Sequence, residues 1–376
     1  MTTTPDLKYT LLAPYRLGES LLRNRVVMAS MTRGRSANVE LVPTELHVEY
    51  YRQRASAGLI MTEGTWVSAQ AIGSINVPGL FTDQQVVAWQ VVTDAVHGAG
   101  GRIYAQLGHS GAVSHPDLFG GQLPVAPSAI NPGQRSFTAQ GFKETVTPRA
   151  MSLAEIEATT ADYAAAARNA RRAGFDGVEL HSAATYLLPQ FLSDALNRRT
   201  DRYGGSPENR ARLVIEILEA MIAEWGAGKV GIKIGPATSL GGFVPTVGTV
   251  PTYDHLVERL NDLPLSHLQL VRAPRIDPAG SSVAAIADTI GYYRGRYHGV
   301  LIANGGYDAA TGATEIARQR ADLVAFGAPF IGNPDLVRRF AEDLPLASSD
   351  RGTHYQGGRD GYIDYPLAPR RALAEA

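Results

Sequence analysis

The sequence contains no cysteine among its 376 residues. This absence excludes disulfide bonds, thiolate catalysis, zinc–thiolate centres and cysteine-ligated iron–sulfur clusters. Any chemistry must therefore come from oxygen and nitrogen side chains or from a cofactor.

The chain also has almost no net charge and no long apolar run. Its 35 Lys and Arg residues nearly balance its 36 Asp and Glu residues, which leaves a formal charge of −1. Nucleic acids and anionic membranes attract clustered Lys and Arg, so neither is an expected partner. Residues 1–8 are polar and lack the pattern of a secretory signal, and no run approaches ~18 apolar residues. We expect a soluble cytoplasmic protein that acts on a small molecule, and the sequence does not give its oligomeric state.

Hydrophobic residues make up 44% of the chain, and they recur in a regular order. Short β-branched runs alternate with longer amphipathic stretches, an order typical of β–α units around a parallel sheet. The eight strand–helix pairs fit an α/β fold of the (β/α)8 TIM-barrel type better than an open doubly wound sheet, which uses about six strands. We predict a single barrel domain over residues 1–376. The predicted strands are 25–30, 59–64, 102–107, 177–181, 230–234, 267–270, 300–303 and 323–326, and the predicted helices are 45–57, 83–98, 153–173, 208–225, 254–262, 283–294, 308–317 and 334–341.

Two predicted connections are too long for simple β–α loops. Residues 108–152 follow the third strand and residues 235–252 follow the fifth, and both lack a helical period. Long loops in compact domains are usually functional, so we interpret them as lids or rims of the barrel mouth. The tail, residues 367–376, is predicted to be flexible.

Barrel active sites lie at the carboxyl ends of the strands, and two polar residues stand there in the fourth β–α unit. His181 ends the strand, and Tyr186 follows it closely. An imidazole at this place can donate a hydrogen bond to a carbonyl, and a phenol can supply a proton. The alternative is a capped structural histidine and a core tyrosine.

Two further strand ends carry residues that suit a polar ring. Gln106 ends the third strand, and its amide matches a ring that presents donors and acceptors, such as a flavin pyrimidine or a base. The alternative is a satisfied polar residue beneath the long loop. Lys233 lies in the fifth strand, where it could face an electron-rich ring, form a Schiff base, or pair with Glu63 or Glu179.

The loops after the seventh and eighth strands are rich in glycine. Residues 304–306 read Asn-Gly-Gly and residues 326–329 read Phe-Gly-Ala-Pro, at the two places where such barrels often hold a phosphate with backbone N–H groups. We predict a phosphate site there.

We assign no catalytic role to residues 199–210 and no metal site to His109 and His115. Residues 199–210 form a glycine turn and a helix start, with Ser206 as N-cap and Pro207 in the first helical position. His109 and His115 lack the spacing of a metal site, so no metal is predicted.

Nearly the whole chain, from about residue 12 to 366, resembles the Old Yellow Enzyme family of flavin-dependent ene reductases. The resemblance rests on segments that occur in family order: MASMTRGRS (28–36), YYRQRASAGLIMTEGT (50–65), VPGLFTDQQVVAWQ (77–90), AGFDGVELHSAATYLLPQFLS (173–193), NRRTDRYGGSPENRARL (197–213) and GNPDLVRRFAEDLPL (332–346).

This resemblance implies FMN across the barrel mouth, reduction by NAD(P)H, and hydride transfer to the β-carbon of an activated alkene. It implies that Thr32 contacts the flavin O4 edge, that His181 holds the substrate carbonyl and that Tyr186 delivers a proton to the α-carbon. The implied cofactor-binding residues are Ser30, Thr32, Gly64, Gln106, Lys233, Gly305, Gly306, Gly327 and Ala328.

The chain departs from the family pattern mainly at this same site. Ser74, Gly108 and Ala184 are the implied substrate-pocket positions, and all three are small. The departures are Gly108 for Trp, Ala112 for Arg, Ala184 for His or Asn, Ser74 for Tyr, Ser30 for Pro, Lys233 for Arg and Ala328 for Arg.

These departures leave more than one function open. We predict an FMN-dependent, NAD(P)H-driven ene reductase whose enlarged pocket admits a bulky enone. The alternative is a barrel that has lost the flavin and catalyses a redox-neutral isomerisation, cyclisation or cycloaddition in secondary metabolism. A third hypothesis is a barrel that only binds a ligand or partner.

Overall fold

Eight parallel strands form a closed barrel, which confirms the predicted (β/α)8 TIM-barrel fold. The computed structural model describes residues 5–240, 242–272 and 287–369. Each strand pairs with the next along the chain, and β8 pairs with β1, so the sheet has no free edge. The strands are β1 (Val26–Met28), β2 (Leu59–Met61), β3 (Ile103–Gly108), β4 (Gly177–Ser182), β5 (Val230–Ile234), β6 (Leu268–Val271), β7 (Leu301–Asn304) and β8 (Leu323–Phe326).

A helix follows each strand. The fifth helix begins at residue 249 rather than at the predicted 254, and its first turn contains Pro251, where proline is tolerated. Residues 283–286 of the predicted sixth helix lie outside the described residues. The helices are α1 (Glu45–Gln53), α2 (Asp83–Gly98), α3 (Leu153–Arg172), α4 (Pro207–Trp225), α5 (Thr249–Leu260), α6 (Thr289–Arg294), α7 (Ala309–Ala317) and α8 (Leu336–Ala341).

Apolar residues fill both faces of the sheet, as expected for parallel strands that are covered by helices. One cluster lies inside the barrel and includes Val27, Leu59, Tyr104 and Ile302. The larger cluster packs between the sheet and the helices. The strands therefore form a rigid support for the polar residues at their carboxyl ends.

The excursion over residues 108–152 is not structureless. It contains the antiparallel hairpin Arg135–Thr138 and Gly141–Glu144, and the short strands Val125–Ala126 and Arg149–Ala150 pair in parallel. Arg199 fastens the excursion to the barrel because its guanidinium donates to the carbonyls of Pro127 and Met151 at 3.1 and 2.6 Å. The excursion thus has its own hydrogen bonds and a fixed anchor.

The segment 199–210 has the architectural role that its sequence indicates. Ser206 Oγ accepts from the N–H of Asn209, and Pro207 is the first residue of α4.

None of the helices that the structure describes is long and apolar enough to cross a membrane. Residues 370–376 of the predicted flexible tail lie outside the described part of the chain.

Candidate active site

A cavity of about 340 Å³ opens at the carboxyl ends of the barrel strands, within the usual size range for small-molecule sites. It brings together most of the residues that the sequence nominated, from β1 through β5. The nominated residues that line it are Ser30, Thr32, Gly64, Gln106, Gly108, His181, Ala184, Tyr186 and Lys233.

The other nominated residues lie nearby but outside this cavity. Gly305 and Gly306 follow β7, and Gly327 and Ala328 follow β8. Ser74 lines a second cavity of about 260 Å³. Because Thr32 lines both cavities, the two adjoin.

The sequence did not nominate four residues of the cavity wall, Trp66, Ala183, Thr238 and Val271, and it gave Asn304 only as part of the predicted phosphate loop. Val271 and Asn304 are the last residues of β6 and β7, so the rule that barrel sites lie at strand ends could have found them. Thr238 comes from the loop after β5, for which the sequence has no period to follow.

His181 and Tyr186 form an edge-to-face pair in the cavity wall. Their ring centroids lie 5.0 Å apart at an interplanar angle of 84°. Burial, assisted by the charge of Lys233, lowers the pKa of His181 to about 3, so its imidazole is neutral at pH 7. Burial also raises the pKa of Tyr186, so its phenol keeps its proton. The pair therefore offers a neutral imidazole and a protonated phenol to a ligand.

The imidazole has an unused nitrogen. His181 Nδ1 is buried and has no hydrogen-bond partner among the described residues. An unpaired buried polar atom costs free energy, so a ligand that pairs with it would be favoured.

A strained turn separates this histidine from the tyrosine. Ala184 has φ of +57°, the left-handed region that residues with a Cβ seldom adopt. Tyr186 then caps the short helix Leu187–Leu192. The turn is what brings the two rings together within a few residues of β4.

Replacing Ala184 by Gly should raise the free energy of unfolding by about 0.5–1 kcal/mol, because relief of left-handed strain exceeds the added chain entropy of glycine. Urea denaturation measures the change. Ala183→Gly is the matched control, since Ala183 is buried without a positive φ, and it should destabilise the protein. Equal destabilisation by both substitutions would show that Ala184 is not strained.

A buried carboxylate organises the polar residues beneath the cavity. Glu179 is 0% exposed and accepts hydrogen bonds from Gln106 Nε2 at 2.7 Å, His267 Nε2 at 3.0 Å and Gln269 Nε2 at 2.8 Å. Burial alone would raise the pKa of Glu179, but the hydrogen bond and charge of His267 bring it below its ordinary value. Ser30 Oγ donates to Gln106 Oε1 at 2.6 Å. The amide of Gln106 is therefore fixed from both ends.

Lys233 does not form the ion pair that the sequence left open. Glu63 accepts instead from the backbone N–H groups of Arg33 and Gly34, and no described carboxylate lies within ion-pair distance of Lys233. Burial lowers the pKa of Lys233, and the charge of Glu179 opposes that shift. Lys233 thus lines the cavity with an amino group that has no hydrogen-bonded acceptor among the described residues.

The indole of Trp66 lies close to Gly108, a residue that has no side chain. Trp66 belongs to a short strand, Thr65–Trp66, which pairs with the end of β3 so that Trp66 stands opposite Gly108. The indole contacts Tyr186 edge to face, with centroids 6.2 Å apart. Trp66 is 3% exposed, and its Nε1 has no hydrogen-bond partner among the described residues. The cavity therefore keeps one large aromatic wall although residue 108 has no side chain.

The second cavity lies between the hairpin of the excursion and the C-terminal segment. Phe137 and Phe142 form one wall, with ring centroids 4.8 Å apart. Arg351 and Tyr355 line the other side. The second cavity thus combines three aromatic rings with polar side chains, among them Ser74 and Gln356.

A family model described as the NADH:flavin oxidoreductase / NADH oxidase family matches residues 10–347. The chain belongs to this family. It is 41% identical to a putative 12-oxophytodienoate reductase of Oryza sativa subsp. japonica, over 95% of this chain and 93% of that protein. Morphinone reductase superposes with a TM-score of 0.90 at 40% identity, covering 96% of each chain. An Old Yellow Enzyme homologue from Zymomonas mobilis superposes with a TM-score of 0.89 at 38% identity, over 96% of this chain and 100% of the other.

This membership confirms the resemblance to the Old Yellow Enzyme family and the assignment to FMN-dependent, NAD(P)H-driven ene reductases. The family match does not favour the flavin-free alternative. Among the described residues, no group of three or more His, Asp or Glu side chains could hold a metal ion. The roles of individual site residues stay predictions.

Proposed function

We propose that this flavin oxidoreductase reduces the C=C bond of a bulky enone, and that His181 and Tyr186 act on the substrate. The observation that carries the proposal is the pair itself, a neutral imidazole and a protonated phenol 5.0 Å apart in the cavity wall. The relatives reported above are named as reductases of 12-oxophytodienoate and of morphinone, which favours an unsaturated ketone as the substrate class.

The cavity suits the ring system of FMN. Lys233 offers an amino group without an acceptor among the described residues, and Gln106 offers an amide whose orientation Ser30 and Glu179 fix. These groups match a pyrimidine edge that carries both carbonyl and N–H groups. Thr32 and Gly64 complete the wall on the β1 and β2 side. FMN, when bound, supplies the hydride that the alkene receives.

His181 is assigned to the substrate carbonyl. A neutral imidazole can donate one hydrogen bond, and the donor strengthens its bond as negative charge grows on the carbonyl oxygen. Because the pKa of His181 is lowered to about 3, the ring does not titrate near neutral pH. His181 therefore polarises the enone without transferring a proton to it.

Tyr186 is assigned to the proton. The raised pKa of its phenol keeps the O–H intact until the α-carbon of the substrate becomes basic. The described residues offer its hydroxyl no hydrogen bond, so the O–H is free to face the substrate. Addition of hydride at the β-carbon and of this proton at the α-carbon together saturate the C=C bond.

The adjoining cavities supply the room for a bulky substrate. Gly108 and Ala184 project little or nothing into the first cavity, and Ser74 lines the second. A Cβ built at Gly108 would lie 3.6 Å from His181, in ordinary van der Waals contact, so a larger side chain there would occupy space beside the imidazole. We assign the aromatic second cavity to the part of the substrate remote from the enone.

The test uses the protein as purified. Under anaerobic conditions, NADPH or NADH should bleach the flavin absorbance, and a cyclic enone should restore it. Among enones of increasing size, fused-ring ketones should reoxidise the enzyme faster than 2-cyclohexenone. A protein that takes up no FMN, or one that only oxygen reoxidises, would contradict the proposed reaction. A preference for 2-cyclohexenone would contradict the bulky substrate alone.

A further inference from the structure

We propose that Arg272 binds the phosphate of FMN, in place of the side chain that Ala328 lacks. The inference rests on the proposed flavin site and concerns the rim of the barrel rather than the reacting atoms. Arg272 follows β6 directly and has no role in the proposed reaction.

Arg272 stands at the rim of the first cavity. Val271 and Asn304 pair in register at the ends of β6 and β7, and both line the first cavity. The next residues, Arg272 and Gly305, therefore lie where the cavity wall ends. A ring that fills the cavity and carries a long phosphorylated chain can place that chain across this rim.

The backbone of the loop after β7 offers donors beside Arg272. Gly305 and Gly306 have φ of +120° and +64°, and their N–H groups donate to no atom of the described residues. A Cβ at Gly305 would lie 2.8 Å from Arg272 Cγ, so only glycine lets the arginine pack there. Unpaired backbone N–H groups next to a guanidinium form a concave group of donors that suits an anion.

The guanidinium of Arg272 is held in a fixed orientation. It stacks on the ring of Tyr307, with its carbon 4.0 Å from the ring centroid, and one nitrogen donates to the carbonyl of Gly306 at 2.7 Å. No described carboxylate pairs with it. A guanidinium has five N–H donors, so most remain free, and the stacking fixes their direction.

The neighbouring loop lacks a cation of its own. Ala328 is exposed and has no polar side chain, and it follows β8, which is paired with β7. Arg272 is on the other side of β7 from Ala328. The charge that would face a phosphate from β8 is thus supplied from β6.

The experiment compares FMN with riboflavin, which shares the ring but has no phosphate. Flavin is removed by dialysis against bromide, and each flavin is titrated back by its fluorescence. Arg272→Ala should weaken FMN binding by about 10- to 100-fold, because a charged hydrogen bond is lost, and should change riboflavin binding by less than about 3-fold. Arg272→Lys should lose less FMN affinity than Arg272→Ala.

Arg351→Ala is the matched control. Arg351 is the cation of the second cavity and also has no carboxylate partner among the described residues. Its replacement should leave both flavin affinities unchanged. Introducing Ala328→Arg into the Arg272→Ala protein should restore FMN affinity.

Several outcomes would overturn the proposal. Equal loss of FMN and riboflavin in Arg272→Ala would show a merely structural role, and unchanged FMN affinity would show no role. Loss of FMN affinity in Arg351→Ala alone would move the phosphate to the second cavity. Each of these results leaves the enone reaction of the wild-type protein intact, so the two proposals fail separately. If the stripped protein does not rebind flavin, the rate of FMN release from the diluted holoenzyme gives the same comparison between variants.

Discussion

Replacing Tyr186 by Phe should slow reoxidation of the reduced enzyme by an enone about 10²- to 10⁴-fold, the usual contribution of a positioned general acid. Reduction by NAD(P)H should keep its rate, because that half of the cycle needs no proton at the α-carbon. The phenyl ring preserves the edge-to-face contacts with His181 and Trp66, so the cavity keeps its shape.

Anaerobic rapid mixing separates the two half-reactions. Tyr203→Phe is the matched control, since Tyr203 is also buried but donates its O–H to Glu216 outside the cavity, and it should leave both rates unchanged. His181→Ala should weaken enone binding and slow reoxidation, whereas Tyr186→Phe should affect mainly the rate at saturating enone. If Tyr186→Phe reoxidises at the wild-type rate, the proton comes from another group or from water.

Replacing Glu179 by Gln should lower the free energy of unfolding by about 3–5 kcal/mol, because the donors around it lose a charged acceptor inside the barrel. An amide nitrogen would also face N–H groups of Gln106 or Gln269, where no acceptor replaces the lost oxygen. FMN affinity should fall as well, since the orientation of Gln106 and the charge of Lys233 both depend on Glu179.

Chemical denaturation and flavin titration measure the two effects. Glu224→Gln provides the control, because Glu224 pairs with Arg168 at the surface, where such a pair contributes about 0–1 kcal/mol. A stability loss no larger than that of Glu224→Gln would mean that the buried carboxylate does not hold the network together.

The strands could be predicted closely from sequence, and the reason is physical. Residues 230–234 and 323–326 are strands with the predicted bounds, because short, mostly apolar runs that alternate with helical stretches are typical of buried strands in a parallel sheet. The start of α5 was misplaced because residues 235–252 were assigned to a loop without a helical period, although the first turn of the helix, which contains Pro251, already lies within that range.

The site was harder to predict than the barrel. Residues at strand ends, such as Gln106 and His181, follow from the rule that places barrel sites at carboxyl ends. Trp66 was missed because its neighbour across the strands, Gly108, is far away in sequence, and only the register of the pairing brings them together. The hydrogen bonds of Glu179 depend in the same way on side-chain directions within the closed sheet.

The wall of the second cavity is completed late in synthesis, because some of its residues lie near the end of the chain. Arg33, next to Thr32, donates to the carbonyls of His354 and Gly361, and Arg351 and Tyr355 line the cavity itself. Arg351, His354, Tyr355 and Gly361 lie beyond position 347, where the family match ends. On the ribosome the barrel strands emerge first, so this wall closes only after nearly the whole chain has been translated. A truncated or stalled chain would therefore contain His181, Tyr186 and the strands that carry the first cavity but lack the C-terminal wall of the second cavity, to which we assign the remote part of the substrate.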